Sequence, residues 1–393
     1  MQGLILLLAG VLSADWLHVD GTAIVNEAGE EVFLTGLNWF GFETDIRVIH
    51  GLWQSSLHTI VKEAAAHGFN VWRIPVSADT LGQWRDGEEP LDTWIDPTAN
   101  PDLQGLGGFE IFNIFLDDCR ANGMKVFVDI HNMEPGPQNP FPYEPDHPGD
   151  PPEYYYGVLE WLTKQYLDDD VIIGIDLFNE PHSVHDCGDP QTEEDCLWDD
   201  SEKVNNFRYV ASEAGKRILA INPNLLIIIE LPGCYHGGFG WWGGTLQGVG
   251  DVLADLPATN VVYSPHEYGL GVWNSDAEWL KPGFTYDSLM EKHWLPHWLF
   301  VKKDGIAPVL IGEWGGTTEG ENANWIGFVA DLIGKEGLSH TYWDLNPDSS
   351  GTGGLLLDDW ATWDEEKLGL IAPSLTGKLW PTKEPRGKVV KKA

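Results

Sequence analysis

The chain has 393 residues, 42% of them hydrophobic, and its 61 acidic against 23 basic side chains give a formal net charge of −38. So large an acidic excess excludes nucleic acid and anionic membrane surfaces as partners, since both reward basic patches, and it suits a neutral polymer. The apolar fraction is ample for a large core.

Met1 to Ala14 holds an apolar stretch, Leu4 to Leu12, followed by Ser13-Ala14. It reads as the end of a secretory signal that lacks a basic n-region, or as an N-terminal strand. No later run of about 18 apolar residues exists to span a membrane. The acidity fits a secreted enzyme kept soluble, and equally adaptation to high salt. Val32 to Asn38 opens the strand pattern, and Ser56 to His67, with Leu57, Ile60, Val61, Ala64 and Ala65 on one face, predicts the first amphipathic helix. Further strands are expected near 70–76, 125–131, 171–179, 225–231, 260–267, 308–313 and 340–345, and helices near 109–122, 154–168, 204–221, 287–303, 323–336 and 364–369.

Strands separated mainly by helices imply parallel neighbours joined by crossovers. With no GxGxxG after the first strand, a closed (β/α)8 TIM barrel is preferred to a dinucleotide-binding sheet. Segments after strands are long (Ser77 to Gly107, Asn132 to Glu153, Pro181 to Ser201), whereas those before strands are tight (Ala121 to Gly123, Asn222-Pro223). The long loops mark the C-terminal ends of the strands as the working face, and Pro135 to Pro152 reads as a rigid lip of that face. Residues 15–377 form one catalytic unit. Residues 378–393, with Lys378, Lys383, Arg386, Lys388, Lys391 and Lys392, read as a basic tail.

Two apolar runs stop at a glutamate: Val171 to Phe178 leads into Asn179-Glu180-Pro181, and Ala307 to Gly312 into Glu313-Trp314-Gly315. A carboxylate where a strand leaves the core is costly unless something uses it. Paired carboxylates on parallel strand ends are a means of breaking glycosidic bonds. One Asn-Glu-Pro recurs by chance, but other strand ends deliver Arg73, His131, His266 with Tyr268, and Trp343. Asp176, inside its strand, is expected to bond a neighbouring backbone, and Asp168 to Asp170 and Asp358-Asp359 to be solvated. Of the 20 Trp, only those at strand ends or Gly-rich loops qualify as sugar platforms. Four Cys permit three pairings. Cys187 and Cys196 flank an Asp-rich loop after Glu180 and are the expected bridge, while Cys119 and Cys234 pair or stay as thiols. No zinc spacing and no EF-hand pattern occurs, so neither metal nor cofactor is expected.

Arg73, His131, Asn179, Glu180, His266, Tyr268, Glu313 and Trp343 together resemble the active-site set of family 5 glycoside hydrolases, the cellulase family on a (β/α)8 barrel. Gly36 to Thr44, Trp241 to Gly244 and Trp343 to Ser349 resemble bacterial endo-β-1,4-glucanases of that family, and the similarity spans roughly Trp16 to Ser374. Two positions depart from it: Phe178 stands where His often precedes the Asn-Glu pair, and Trp314 where Phe commonly follows the second glutamate. The resemblance implies a retaining mechanism with Glu180 as acid/base and Glu313 as a nucleophile kept ionised by Arg73 and Tyr268. Asn179 would bond the sugar 2-OH, His131 and His266 sugar hydroxyls or the carboxylates, and Trp343, Trp39 and Trp242 would stack on sugar rings. Retention requires carboxyl groups about 5 to 5.5 Å apart. The expected protein is a secreted monomer without cofactor, acting on cellulose, related β-glucans or cello-oligosaccharides. A β-mannanase or mixed-linkage glucanase is the near alternative. A non-catalytic glycan-binding barrel is the distant one, and it would not need both glutamates.

Overall fold

The computed structural model describes residues 14–88, 94–142, 152–183, 196–236, 238–239, 241–272 and 277–386; the apolar stretch before Ala14 and residues 387–393 lie outside them. Eight parallel strands form the core sheet: β1 (Thr35–Asn38), β2 (Val71–Ser77), β3 (Lys125–Asn132), β4 (Ile172–Asp176), β5 (Leu226–Ile229), β6 (Val261–Tyr263), β7 (Leu310–Ile311) and β8 (Ser339–Tyr342). They run β6-β5-β4-β3-β2-β1-β8-β7. The two ends of that order meet through a parallel bridge of Tyr263 with Val309, where Tyr263 N–H donates to the Pro308 carbonyl at 3.2 Å. The sheet is thus a closed barrel.

Amphipathic helices lie on its outside. Leu57–Ala66 buries Leu57, Ile60, Val61, Ala64 and Ala65, the face its sequence predicts. Gly108–Ala121, Glu153–Gln165, Phe207–Ile221 and Glu321–Glu336 make the same use of an apolar stripe. The π-helical run Met290–Leu299, with Pro296 inside it, lies between β6 and β7. No helix among the described residues is long and apolar enough to cross a membrane.

Inside the barrel, side chains alternate in and out with a period of two, and this layers the interior. Leu34, Val71, Phe127, Leu226, Ile228, Val262 and Leu310 form an apolar cluster. Two residues beyond Val71, Phe127 and Ile228, each strand turns polar at Arg73, Asp129 and Glu230. The N-terminal hairpin, Leu17–Asp20 against Ala23–Asn26, covers the apolar end with Leu17, Val19 and Ile24, and Trp380 packs against the same cluster.

Residues 378–386 lie against this closed end. Trp380 N–H donates to the Gly123 carbonyl and Lys383 N–H to the Arg120 carbonyl, both at 2.9 Å. Asp169 and Asp170, expected to be solvated, are buried instead. Asp169 pairs with Arg120 and Arg386, Asp170 with Lys125 and Lys383. Burial opposes ionisation of Asp170, but the two lysines and the Asp15 N–H outweigh it and hold its pKa down to about 2. An acidic run that reads as solvent-facing takes its cations half from an earlier helix and strand, Arg120 and Lys125, and half from a segment far along the chain, Lys383 and Arg386.

Two further expectations fail. Cys196 is a buried thiol, its N–H donating to Ser183 Oγ at 3.1 Å, so the bridge to Cys187 is not formed. Cys187 lies outside the described residues; among the described cysteines Cys234 is disulfide-bonded and Cys119 is a buried thiol. Trp39 is fully buried, because it follows the inward-facing Asn38 and therefore points outward. It packs 5.5 Å from the Trp72 ring and 6.2 Å from the Phe115 ring and donates its Nε1–H to the His50 carbonyl at 3.0 Å. It is a core residue and not a sugar platform. Trp39→Ala is expected to cost about 3–5 kcal/mol of stability, measured by denaturant unfolding, with KM for oligosaccharides unchanged in the protein that folds.

Candidate active site

A proline decides how β6 ends. Pro265 has no N–H for the ladder, so after Tyr263 the pairing stops. It resumes as His266–Tyr268 beside Glu313–Gly315, in parallel register with His266 opposite Glu313 and Tyr268 opposite Gly315. The interruption brings a histidine and a glutamate side by side at the mouth of the barrel.

Arg73 is the centre of the group and is fully buried. Its Nε donates to Asp176 Oδ2 at 2.9 Å, Nη1 to Asn38 Oδ1 at 3.1 Å and to Glu313 Oε1 at 2.7 Å, and Nη2 to Asn179 Oδ1 at 2.8 Å and to Glu230 Oε1 at 3.2 Å. These contacts occupy all five guanidinium donors, and Asp129 adds an ion pair at 3.2 Å. Asp176 therefore serves Arg73, not a neighbouring strand's backbone as expected. Burial, ahead of the opposing Arg73 charge, pushes its carboxyl well above the usual range.

Glu313 is buried and doubly held, by Arg73 and by Tyr268, whose hydroxyl donates to Oε2 at 2.6 Å. Burial alone would raise its pKa. The charges of His266, Arg73 and His131 and the Tyr268 hydroxyl overcome that and keep it below the ordinary carboxylate value. Glu180 takes a left-handed backbone, φ 46°, fixed by its N–H donating to Glu230 Oε2 at 2.8 Å and by His182 Nδ1 lying 2.8 Å from its carbonyl. Its Oε1 lies 2.9 Å from His266 Nδ1 and its Oε2 accepts from Gln138 Nε2 at 3.0 Å.

His266 is fully buried between Glu180 and Glu230, the latter at 3.1 Å from Nε2. Burial works against its charge, but Glu230, Glu313 and Glu180 raise its pKa well above the usual histidine value. A carboxylate oxygen of Glu180, a ring nitrogen of His266 and a carboxylate oxygen of Glu313 all lie within 4.8 Å of one another. Two carboxyls this close, one ionised and the other in reach of solvent, can attack and protonate the two ends of one bond, and leave no room for the water of an inverting enzyme.

His131 stacks on Trp343 at 5.6 Å, and Phe40 stacks on the same indole at 5.8 Å. Trp242 is exposed on the other flank, its ring 3.7 Å from and nearly parallel to that of His182. Among the described residues the structure thus gathers Arg73, His131, Asn179, Glu180, His266, Tyr268, Glu313 and Trp343 at one mouth, with Trp242 at its rim and Trp39 absent. Phe178 and Trp314 are buried, Phe178 against Tyr155 and Phe207, Trp314 against His340 and Tyr342. Sequence reading missed Glu230, although Ile227-Ile228-Ile229-Glu230 carries the same apolar-run-then-glutamate signature as the other two. It also missed Asn38, whose Nδ2 donates to the Gly312 and Tyr342 carbonyls, and Gln138, which no local pattern marks.

A family profile described as Cellulase (glycosyl hydrolase family 5) matches residues 25–349. The chain is 35% identical to Endoglucanase G of Acetivibrio thermocellus over 94% of its own length and 72% of that protein's. It is 36% identical to an endoglucanase of Paenibacillus polymyxa over 91% of its length and 86% of the relative's. An endocellulase from Pyrococcus horikoshii, solved in complex with cellotetraose, superposes with a TM-score of 0.84 at 29% identity, covering 92% of this chain and 99% of that one.

The histidine beside Trp343 gives a pH test. Burial opposes its charge, but Asp129, at 2.6 Å from Nδ1, together with Glu43 and Glu313, pushes the His131 pKa up to about 9. A folded value above the free value of about 6.5 means its stabilisation is complete below pH 6.5 and is lost as pH rises through about 9. The unfolding free-energy gap between the parent and His131→Gln should therefore shrink between those pH values; a gap constant across the range contradicts the assignment.

Proposed function

The chain belongs to glycosyl hydrolase family 5, and from that premise we propose that Glu180 is its acid/base and Glu313 its nucleophile. The protein is an endoglucanase, a retaining glycoside hydrolase that cleaves internal bonds of β-glucan. The observation that carries the residue roles is the proximity of the two carboxylates across His266, within 4.8 Å.

In the first step Glu313, kept ionised by Arg73 and Tyr268, attacks the anomeric carbon while Glu180 protonates the departing oxygen. In the second, Glu180 takes a proton from water as that water displaces Glu313. Tyr268 and Arg73 hold both nucleophile oxygens, which sets the line of attack. Arg73 takes Asn179 Oδ1, so the amide NH2 is the end left to bond the sugar 2-OH, a contact that strengthens in the transition state. Trp343, backed by His131 and Phe40, offers an apolar face to the ring at the cleavage point, and Trp242 offers one to the chain beyond it.

The preferred substrate is cellulose or a cello-oligosaccharide, in keeping with the cellotetraose bound by the Pyrococcus horikoshii endocellulase. Secretion is supported by the apolar segment before Ala14, by the acidity and by the likeness, 29% over 91% of the chain, to the major extracellular endoglucanase of Xanthomonas campestris.

Glu313→Ala should lower kcat by at least about a thousandfold, with azide restoring turnover as a glycosyl azide; a loss within tenfold removes the nucleophile assignment. Reducing-sugar release should rank carboxymethylcellulose and barley β-glucan above mannan, and activity confined to mannan overturns the substrate preference.

A further inference from the structure

Gln138 belongs to the lip loop after β3, in a stretch fastened by backbone contacts. Met133 N–H donates to Asn139 Oδ1 at 2.6 Å, Gly136 N–H to the Glu43 carbonyl at 3.0 Å and His182 N–H to the Pro140 carbonyl at 2.7 Å. From this braced position the half-buried Gln138 side chain reaches Glu180 Oε2 at 3.0 Å. The other oxygen, Oε1, faces His266 Nδ1 at 2.9 Å. His266 lies in turn against Glu230 at 3.1 Å, so a doubly protonated ring suits both neighbours and keeps an N–H on Oε1 throughout the cycle. The proton that Glu180 passes to the leaving group must then ride on Oε2, the oxygen Gln138 touches.

We propose that Gln138 is the positioning residue of the acid/base, holding the proton-bearing oxygen of Glu180 in line with the glycosidic oxygen; this rests on Glu180 being the acid/base. An amide suits the task because it has both kinds of partner. Its N–H donates to the ionised carboxylate, and a half-turn of the terminal torsion offers its carbonyl to the protonated one. In glycosylation a Glu313 oxygen bonds to the anomeric carbon, the electrons of the broken C–O bond pass to the leaving oxygen, and that oxygen takes the proton from Oε2. In deglycosylation water bonds to the same carbon, its proton goes to Oε2, and Glu313 departs as carboxylate. Between the two steps Glu180 is ionised and Glu313 is the glycosyl ester. Gln138 sits on the outer side of Glu180, on a loop and not on a strand.

Gln138→Met keeps length without hydrogen bonding, and Gln138→Glu supplies an acceptor that repels the ionised acid. Both are compared with the parent by kcat/KM on cellohexaose, whose leaving group needs a proton, and on 2,4-dinitrophenyl β-cellobioside, whose leaving group does not, with melting temperatures recorded. Each variant should lose roughly ten- to a hundredfold on cellohexaose, within the range of general acid catalysis, and at least about tenfold less on the dinitrophenyl substrate. Equal losses on both substrates, or no loss on either, overturn the proposal. Either variant alone decides it should the other fail to fold. Glu180→Ala is run beside them: if it too lacks the leaving-group split, the acid/base assignment itself falls, whereas a split in Glu180→Ala with none in the Gln138 variants removes only the role of Gln138.

Discussion

A guanidinium with no access to water sits where the barrel interior turns from apolar to charged. Removing such an ion from solvent is expensive, and the cost is met only when its donors are all used and countercharges lie close. Arg73 meets both conditions, with donors divided among Asp176, Asn38, Glu313, Asn179 and Glu230. The residues it recruits come from β1, from β4 and the turn after it, and from the ends of β5 and β7, so one side chain on β2 sets the spacing of the whole mouth. Were it lysine, a single ammonium could not span these partners.

The carboxylates around Arg73 outnumber it, and the surplus explains the histidines. His266 and His131 are both driven toward the charged form by acidic neighbours, against the opposing effect of burial. Glu313 benefits, since three cations and a hydroxyl act on it, and it stays ionised in a place where a lone carboxylate would not. Asp176 and Glu230 are shifted the other way, chiefly by burial. Two kinds of carboxyl thus coexist within one hydrogen-bonded group: a nucleophile held ionised by its neighbours, and buried partners of Arg73 and His266 held the other way.

Much of this was legible in the letters. Strand and helix alternation predicts the barrel, and polar residues at strand ends predict eight members of the site, because a strand ending in a buried carboxylate or arginine has few structural excuses. Phase was the weaker guide: Asn38 and Trp39 occupy the same strand end, and only the period of two separates the inward amide from the outward indole. Glu230 shows the right signature and was passed over because no motif surrounds it. Gln138, the partners of Asp169 and Asp170, and the true state of Cys196 depend on loops and on residues distant in sequence, for which local pattern carries no information.

The backbone of Glu180 adds a last point. A left-handed conformation is uphill for a residue with a Cβ, and Asn or Gly would sit there with less strain. Glu230 and His182 clamp the peptide on either side of that Cα, so the unfavourable geometry persists. Selection for heat resistance alone would drift toward a sturdier and inert protein at this position, and any engineering of the scaffold has to screen for turnover alongside toughness.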